Sequence, residues 1–378
     1  METIYTNATI ITRNETVHGT LVVEGETIKD VDSSIFRGCG AVDLEGEMLL
    51  PGLIEIHTDN LEKNIQPRPG VIWPSILSAA LAHDAQVAGA GITTVFDALA
   101  VGGLRQSSLR SRIFKDSIEA LSKGKEHDIF KADHFLHLRC EVADESMEEM
   151  LLPQISNPAI RLISIMDHTP GQRQWSNLEK WRLYHRDKGW TEKEALSMIG
   201  ELQAMQKMCA GKHRRLAVAL AHEKNIPLAS HDDTTVDDVA AAVAEGIAIA
   251  EFPTTLAAAE KAKEYEMATI MGAPNAVRGG SHSGNISALE LVENDLLDGL
   301  SSDYVPSSLL HAAFYLAELH RKPLPQTVGL VSCNIADIVG LADRGELVAG
   351  KRADMLQVRI FDGLPMLKKV WSQGRQIG

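Results

Sequence analysis

The sequence predicts an α/β chain: a TIM-type (β/α)8 barrel with a small β-sandwich domain built from both termini. Three observations carry that reading. The middle of the chain alternates short apolar runs with helical stretches often enough to make eight strand–helix units. Both ends are instead short strand-like runs broken by turn residues, without helical periodicity. Several middle runs end on a histidine or an acidic residue, and barrels of this class keep their chemistry at the C-terminal ends of strands.

Taken in order, residues 1–50 hold strand candidates at Ile4–Thr12, Gly19–Glu24, Thr27–Val31 and Ala41–Leu44. Residues 51–343 form the barrel. Its first strand ends at Ile56, and Ile92–Asp97, His134–Glu141, Ile160–Met166, Ile226–Ser230, Ile247–Glu251, Ala268–Gly272 and Gly299–Asp303 supply the rest. Helices are expected at Pro74–Val87, Ser107–Ser122, Thr191–Ala210, Val236–Glu245 and Leu256–Tyr265. The stretch Thr169–Lys224, dense in charge and tryptophan, is too long for a loop and reads as an insertion over the barrel mouth, a lid candidate. Residues 344–378 return to β character and complete the small domain.

With 378 residues, 44% of them hydrophobic, the chain can bury one large core and a small one. A formal net charge of -14 argues against a nucleic-acid footprint or an anionic membrane surface, both of which want clustered positive charge. An anionic small-molecule substrate therefore needs a local basic pocket. The four cysteines Cys39, Cys140, Cys209 and Cys333 form no C-x-x-C pair, and no run of ~20 apolar residues or basic leader occurs, so a cytoplasmic protein is expected. A homo-oligomer stays open.

The most informative segment is the step His57-Thr58-Asp59 after the run Leu49–Ile56. Strand alternation puts Glu55, His57 and Asp59 on one face, and likewise His137, Arg139 and Glu141. Together with His168, His231 and Asp303 these endings supply three imidazoles and three carboxylates: His57, Asp59, Glu141, His168, His231 and Asp303. That set suits two divalent metals, with zinc, manganese or iron all compatible, and an open position for water. Asp303, on the last strand, is the natural proton acceptor. A lone strand-end histidine is more often a hydrogen-bonded structural residue; four coincident endings reverse those odds. For Glu141 an ion pair with Arg139 or Arg161 competes as an explanation. Asp97 reads as a residue that orients the site from behind. His83, His222, His311 and His320 read as helix surface or packing residues, and His127, His185 and His213 as solvated. Asp232 suits sugar hydroxyls or a cap, Asp233 the cap of a helix beginning near Val236.

Pro51-Gly52-Leu53-Ile54 before His57-x-Asp59, the terminal Asp303 and the turn Gly350-Lys351-Arg352-Ala353-Asp354 resemble the amidohydrolase superfamily over nearly the whole chain. Two departures narrow the branch: Asp59 stands where the second histidine of the usual His-x-His falls, and no lysine ends a middle strand. The longer string His57–Lys63 followed by Pro67-Arg68-Pro69-Gly70-Val71 is more specific. It resembles the diphosphatases of phosphonate catabolism, as do His137–Glu141, Met166–Gln172, Ala229–Asp233, Gly272–Asn275, Arg278–Asn285 and Ser302–Tyr304. That resemblance implies cleavage of a ribose 5-triphosphate, esterified with methylphosphonate at carbon 1, to the 5-phosphate and pyrophosphate.

Such an anion needs donors near the metals. Lys63, Arg68, Arg173, Arg278 and His282 are the candidates, each in a loop on the catalytic side, with Gly279 and Gly280 letting backbone amides approach oxygen. Taken singly, any of these arginines is better explained by a solvated surface charge or ion pair. No G-x-x-x-x-G-K-[ST] loop exists. Two rival readings keep the fold: a barrel that hydrolyses a C–N bond, as a deaminase or deacylase does, and a metal-free scaffold.

Overall fold

The computed structural model describes residues 2–103, 109–281 and 284–378. Both termini build one sheet. Strands β1 (Glu2–Ile11), β2 (Thr16–Glu24), β3 (Thr27–Asp32), β4 (Val42–Asp43) and β5 (Met48–Pro51) come from the N-terminal end. The barrel follows directly as β6 (Leu53–Thr58), β7 (Ile92–Val101), β8 (Asp133–Glu141), β9 (Ile160–Met166), β10 (Leu228–His231), β11 (Ile249–Glu251), β12 (Ala268–Gly272) and β13 (Gly299–Ser301). Then β14 (Met355–Phe361), β15 (Leu364–Ser372) and β16 (Arg375–Gln376) complete the first sheet in the order β16-β15-β14-β5-β1-β2-β3, with β4 beside β1. Tyr5, Ile10, Leu21, Leu49, Met355 and Trp371 form its core.

The eight barrel strands pair in chain order and in parallel, and the seam between β13 and β6 is closed by a bridge between Thr58 and Asp303. Every residue of β7 is buried, as expected for a parallel strand covered on both faces. Each fully buried Ile or Leu of the barrel contributes about 1.5–3 kcal/mol through removal from water. Gly52 alone separates β5 from β6. A Cβ there would sit 2.3 Å from Thr93 Oγ1 and 2.9 Å from Asp354 Cβ, so the two sheets meet at a contact only glycine permits.

Several sequence expectations shift. The helix expected at Thr191–Ala210 runs from Glu192 to Lys224. Thr191 and Glu194 form a capping box at its start, Asn225 ends it in the left-handed conformation, and Gly200 and Gly211 do not interrupt it. Its C-terminal half buries Ala217 and Ala221 against the barrel core, so that half is an ordinary barrel helix. Only the segment from Arg173 into the first turns of that helix covers the mouth, held by Trp175, Trp181, Ile199 and Leu202. His213, read as solvated, is buried with Nδ1 3.1 Å from the Val142 carbonyl. The helix Val236–Ala244 is capped by Thr235 with Asp238 rather than by Asp233. Among the described residues no helix is long and apolar enough to cross a membrane.

Candidate active site

The barrel seam positions the first of the expected ligands. Buried Glu55 accepts a hydrogen bond from the His57 amide and another from the Ser302 amide, both at 2.6 Å, and so ties β6 to the end of β13. Burial pushes its carboxyl up to about 8 against those bonds. The Asp303 amide donates to the His57 carbonyl and the Asp59 amide to the Asp303 carbonyl, at 3.1 and 3.0 Å. Asp303 lies two residues beyond β13 with φ 52°, a left-handed turn that lets it face back into the mouth.

One cavity of about 350 Å³ lies over this end of the barrel. His57, Asp59, Glu141, His168, His231 and Asp303 all line it. Beneath them is Glu251, at the end of β11. Its Oε1 is 3.0 Å from His57 Nδ1, and its Oε2 accepts from Ser164 Oγ at 2.5 Å and stands 3.5 Å from His231 Nδ1. His137 is close, 3.8 Å from Glu251, but both of its nitrogens are used, on the Ile56 carbonyl and on Ser164 Oγ. Nearer the opening, His168 Nδ1 is 2.6 Å from Glu141, and His168 Nε2 and His231 Nε2 are each 3.6 Å from Asp232 Oδ2. His57, His137 and Glu251 form one group of convergent donor atoms, and His168, His231 and Asp232 a second.

This arrangement fits divalent metal. His231 Nδ1 is buried without a hydrogen-bond partner, the unspent donor a cation takes up. Burial pushes His137 down to about 3 and also lowers His231, keeping both rings neutral. At His168 burial opposes the charge, yet the Glu141 and Asp232 carboxylates outweigh it and lift the ring to about 9. Asp303 is raised by burial and by the Asp59 carboxylate, against His57 and Arg139.

The cationic residues divide differently from the sequence expectation. Arg278 lines the cavity. Arg173 does not: its guanidinium is bound to Asp233 and to the His231 carbonyl, so it braces the loop after β10 instead of facing a ligand. Lys63 is turned onto the Tyr304 carbonyl and ring, and Arg68 is exposed in a turn outside the cavity. His282 lies outside the described residues. Two arginines not anticipated as ligands line the cavity, Arg139 on β8 and Arg110 in the helix Leu109–Glu126. Arg139 Nη1 is 2.5 Å from Asp59 Oδ1, while Arg110 reaches Asp59 Oδ2 at 3.4 Å and Glu62 at 3.0 Å. Trp175, Trp181, Tyr184 and His185 close the opposite wall. His185, expected in solvent, stacks on Trp190 with ring centroids 6.0 Å apart.

No family model matches the sequence. The chain is 42% identical over 377 residues to the α-D-ribose 1-methylphosphonate 5-triphosphate diphosphatase of Escherichia coli, covering 99% of this chain and 100% of that one. The chain belongs to this family. A 5-methylthioadenosine/S-adenosylhomocysteine deaminase of Bacillus anthracis matches locally, 41% identical over 66 residues and 15% of each chain. Among solved structures, an amidohydrolase (TM-score 0.63, 14% identity, 100% of this chain and 98% of that one) shares the fold. So does the 5-methylcytosine deaminase of Klebsiella pneumoniae (TM-score 0.65, 15% identity, 99% and 97%). The family is one of hydrolases, and the solved structures share its barrel fold.

Proposed function

We propose that this enzyme hydrolyses α-D-ribose 1-methylphosphonate 5-triphosphate to the 5-phosphate and pyrophosphate in phosphonate catabolism, with two divalent metals at the barrel mouth. One observation carries the reading: among the described residues, one cavity in an acidic protein gathers all six expected ligands together with Arg110, Arg139 and Arg278. A triphosphate needs that combination, since metal and guanidinium share its charge.

His57, Asp59, Glu141, His168, His231 and Asp303 would hold the metals, with Glu251 and Asp232 near enough to take part. Bound there, a divalent cation supplies Lewis acidity to phosphoryl oxygen and lowers the pKa of water. The chain's own groups do the rest. The Asp303 carboxylate accepts the proton of the attacking water, and its raised pKa suits it to that exchange. Glu251 fixes the His57 ring through Nδ1, and Glu55 fixes the strand that carries it. Arg278, at the rim, binds the sugar phosphate, and the Trp175–Trp181 wall keeps bulk water from the reacting end. The four cysteines are free thiols, in keeping with a cytoplasmic enzyme.

Phosphorus NMR of the metal-reconstituted protein with this substrate, beside a chelated control, tests the assignment. Metal-dependent appearance of pyrophosphate and a 5-phosphate is the expected result. Intact substrate over a metal-loaded site would reject it and turn attention to C–N hydrolysis.

A further inference from the structure

Among the described cations of the cavity, Arg139 and Arg110 share one carboxylate, Asp59. Arg139 sits on the inner face of β8 between His137 and Glu141, with only 6% of its side chain exposed. A buried guanidinium stays charged and offers five donors. Here one donor meets Asp59, and Nε is buried with no partner. Arg110 approaches the same carboxylate from the far side, on its other oxygen. Asp59 therefore lies between two guanidinium groups inside the cavity, where their combined fork matches a phosphoryl oxygen as well as a carboxylate. Asp59 is at the same time one of the six expected metal ligands, and its backbone is fixed by Asp303 beside His57. One carboxylate has two competing uses.

We propose that Arg139 and Arg110 form the subsite for the departing pyrophosphate, and that Asp59 fills this subsite until metal draws its carboxylate away. The inference rests on the phosphoanhydride reading above and deepens it. Metal and pyrophosphate then bind cooperatively, because metal removes the carboxylate that competes with phosphate for the two arginines. By linkage, pyrophosphate strengthens metal binding by the same factor. Lys63, Arg68 and Arg173 have no part in the subsite, being turned to Tyr304, to solvent and to Asp233.

Calorimetric titration of the full-length protein with inorganic pyrophosphate tests this, in chelator-stripped and metal-loaded form. Metal loading is expected to tighten pyrophosphate by at least about tenfold, a coupling of about 1.4 kcal/mol. In the stripped protein Asp59→Asn should tighten it, and Arg110→Ala and Arg139→Lys should each weaken it about tenfold in the Asp59→Asn background. Arg110 is more than a third exposed, so its variant folds even if a change at buried Arg139 does not. Unchanged affinity in the Arg110 variant, or weaker binding by stripped Asp59→Asn, would overturn the proposal; so would absence of pyrophosphate binding in every form. These readings need no turnover, so failure of the enzyme to cleave the ribose triphosphate would count against the substrate assignment and leave the subsite result standing.

Discussion

Two of the histidine–carboxylate clusters in the described barrel differ in how much of their bonding capacity is spent. At the mouth, Glu251 lies 3.0 Å from His57 Nδ1 and 3.5 Å from His231 Nδ1, and that second nitrogen makes no well-formed hydrogen bond. Under the helix Ile76–Gly89, Asp97 accepts from His83 Nε2 and from His134 Nδ1, both at 2.7 Å. The remaining nitrogens there are also engaged, His83 Nδ1 by Asn60 at 2.9 Å and His134 Nε2 by Asp84 at 3.3 Å. Residue type is the same in both; bonding capacity is not. The complete network has its donors and acceptors spent on structure, and the incomplete one is where a cation would fit.

The sharpest way to separate the two regions is to disable each in turn. Asp303→Asn at the mouth should cut kcat by about 10²–10⁴-fold, the usual contribution of a general base, with the denaturation midpoint little moved. Asp97→Asn should do the reverse. Breaking a buried pair costs about 3–5 kcal/mol of stability, seen in urea unfolding, while metal content by mass spectrometry stays at the wild-type value. Loss of metal in that variant would erase the distinction. Glu251→Gln should weaken metal binding about 10–100-fold, as expected for a group that orients a ligand, and this loss of metal is what separates it from Asp97→Asn. The most gradual effect is in pH. Burial opposes the charge on His134, but Asp97 and Asp84 lift it to about 9 from 6.5. A raised histidine stabilises fully below its unfolded value, so this contribution is intact below pH 6.5 and is lost as pH rises through about 9. The slope is at most about 1.4 kcal/mol per pH unit, and His134→Gln should abolish it.

The same contrast explains what could be read in advance. Strand alternation and strand endings are local, so the barrel, the terminal sheet and the convergence of His57, Asp59, Glu141, His168, His231 and Asp303 on one cavity were all legible. Glu251 ended a recognised strand just as His231 did, and that signal could have found it. Partnership is not local. Nothing near Arg173 in the chain announces that Asp233 will hold it, and Asp97 looked like a strand end because the strand was read as four residues shorter than Ile92–Val101. Arg139 was visible on the inward face of its strand, yet the carboxylate it meets lies 80 residues away.

The closeness of β5 to the site has a consequence for biosynthesis. This strand lies between β1, its parallel neighbour, and β14, which pairs Leu356 with Leu50 and Met355 with Pro51. One glycine later the chain becomes the strand that carries His57. A nascent chain still short of residue 355 thus has the mouth residues but only one side of the brace behind the first of them. Long-range pairing of this kind is slow to form and exposes strand edges meanwhile. Maturation of the catalytic end therefore waits for a tail that contributes no residue to the cavity, and removing that tail is a way to silence the enzyme while leaving every lining residue in the chain.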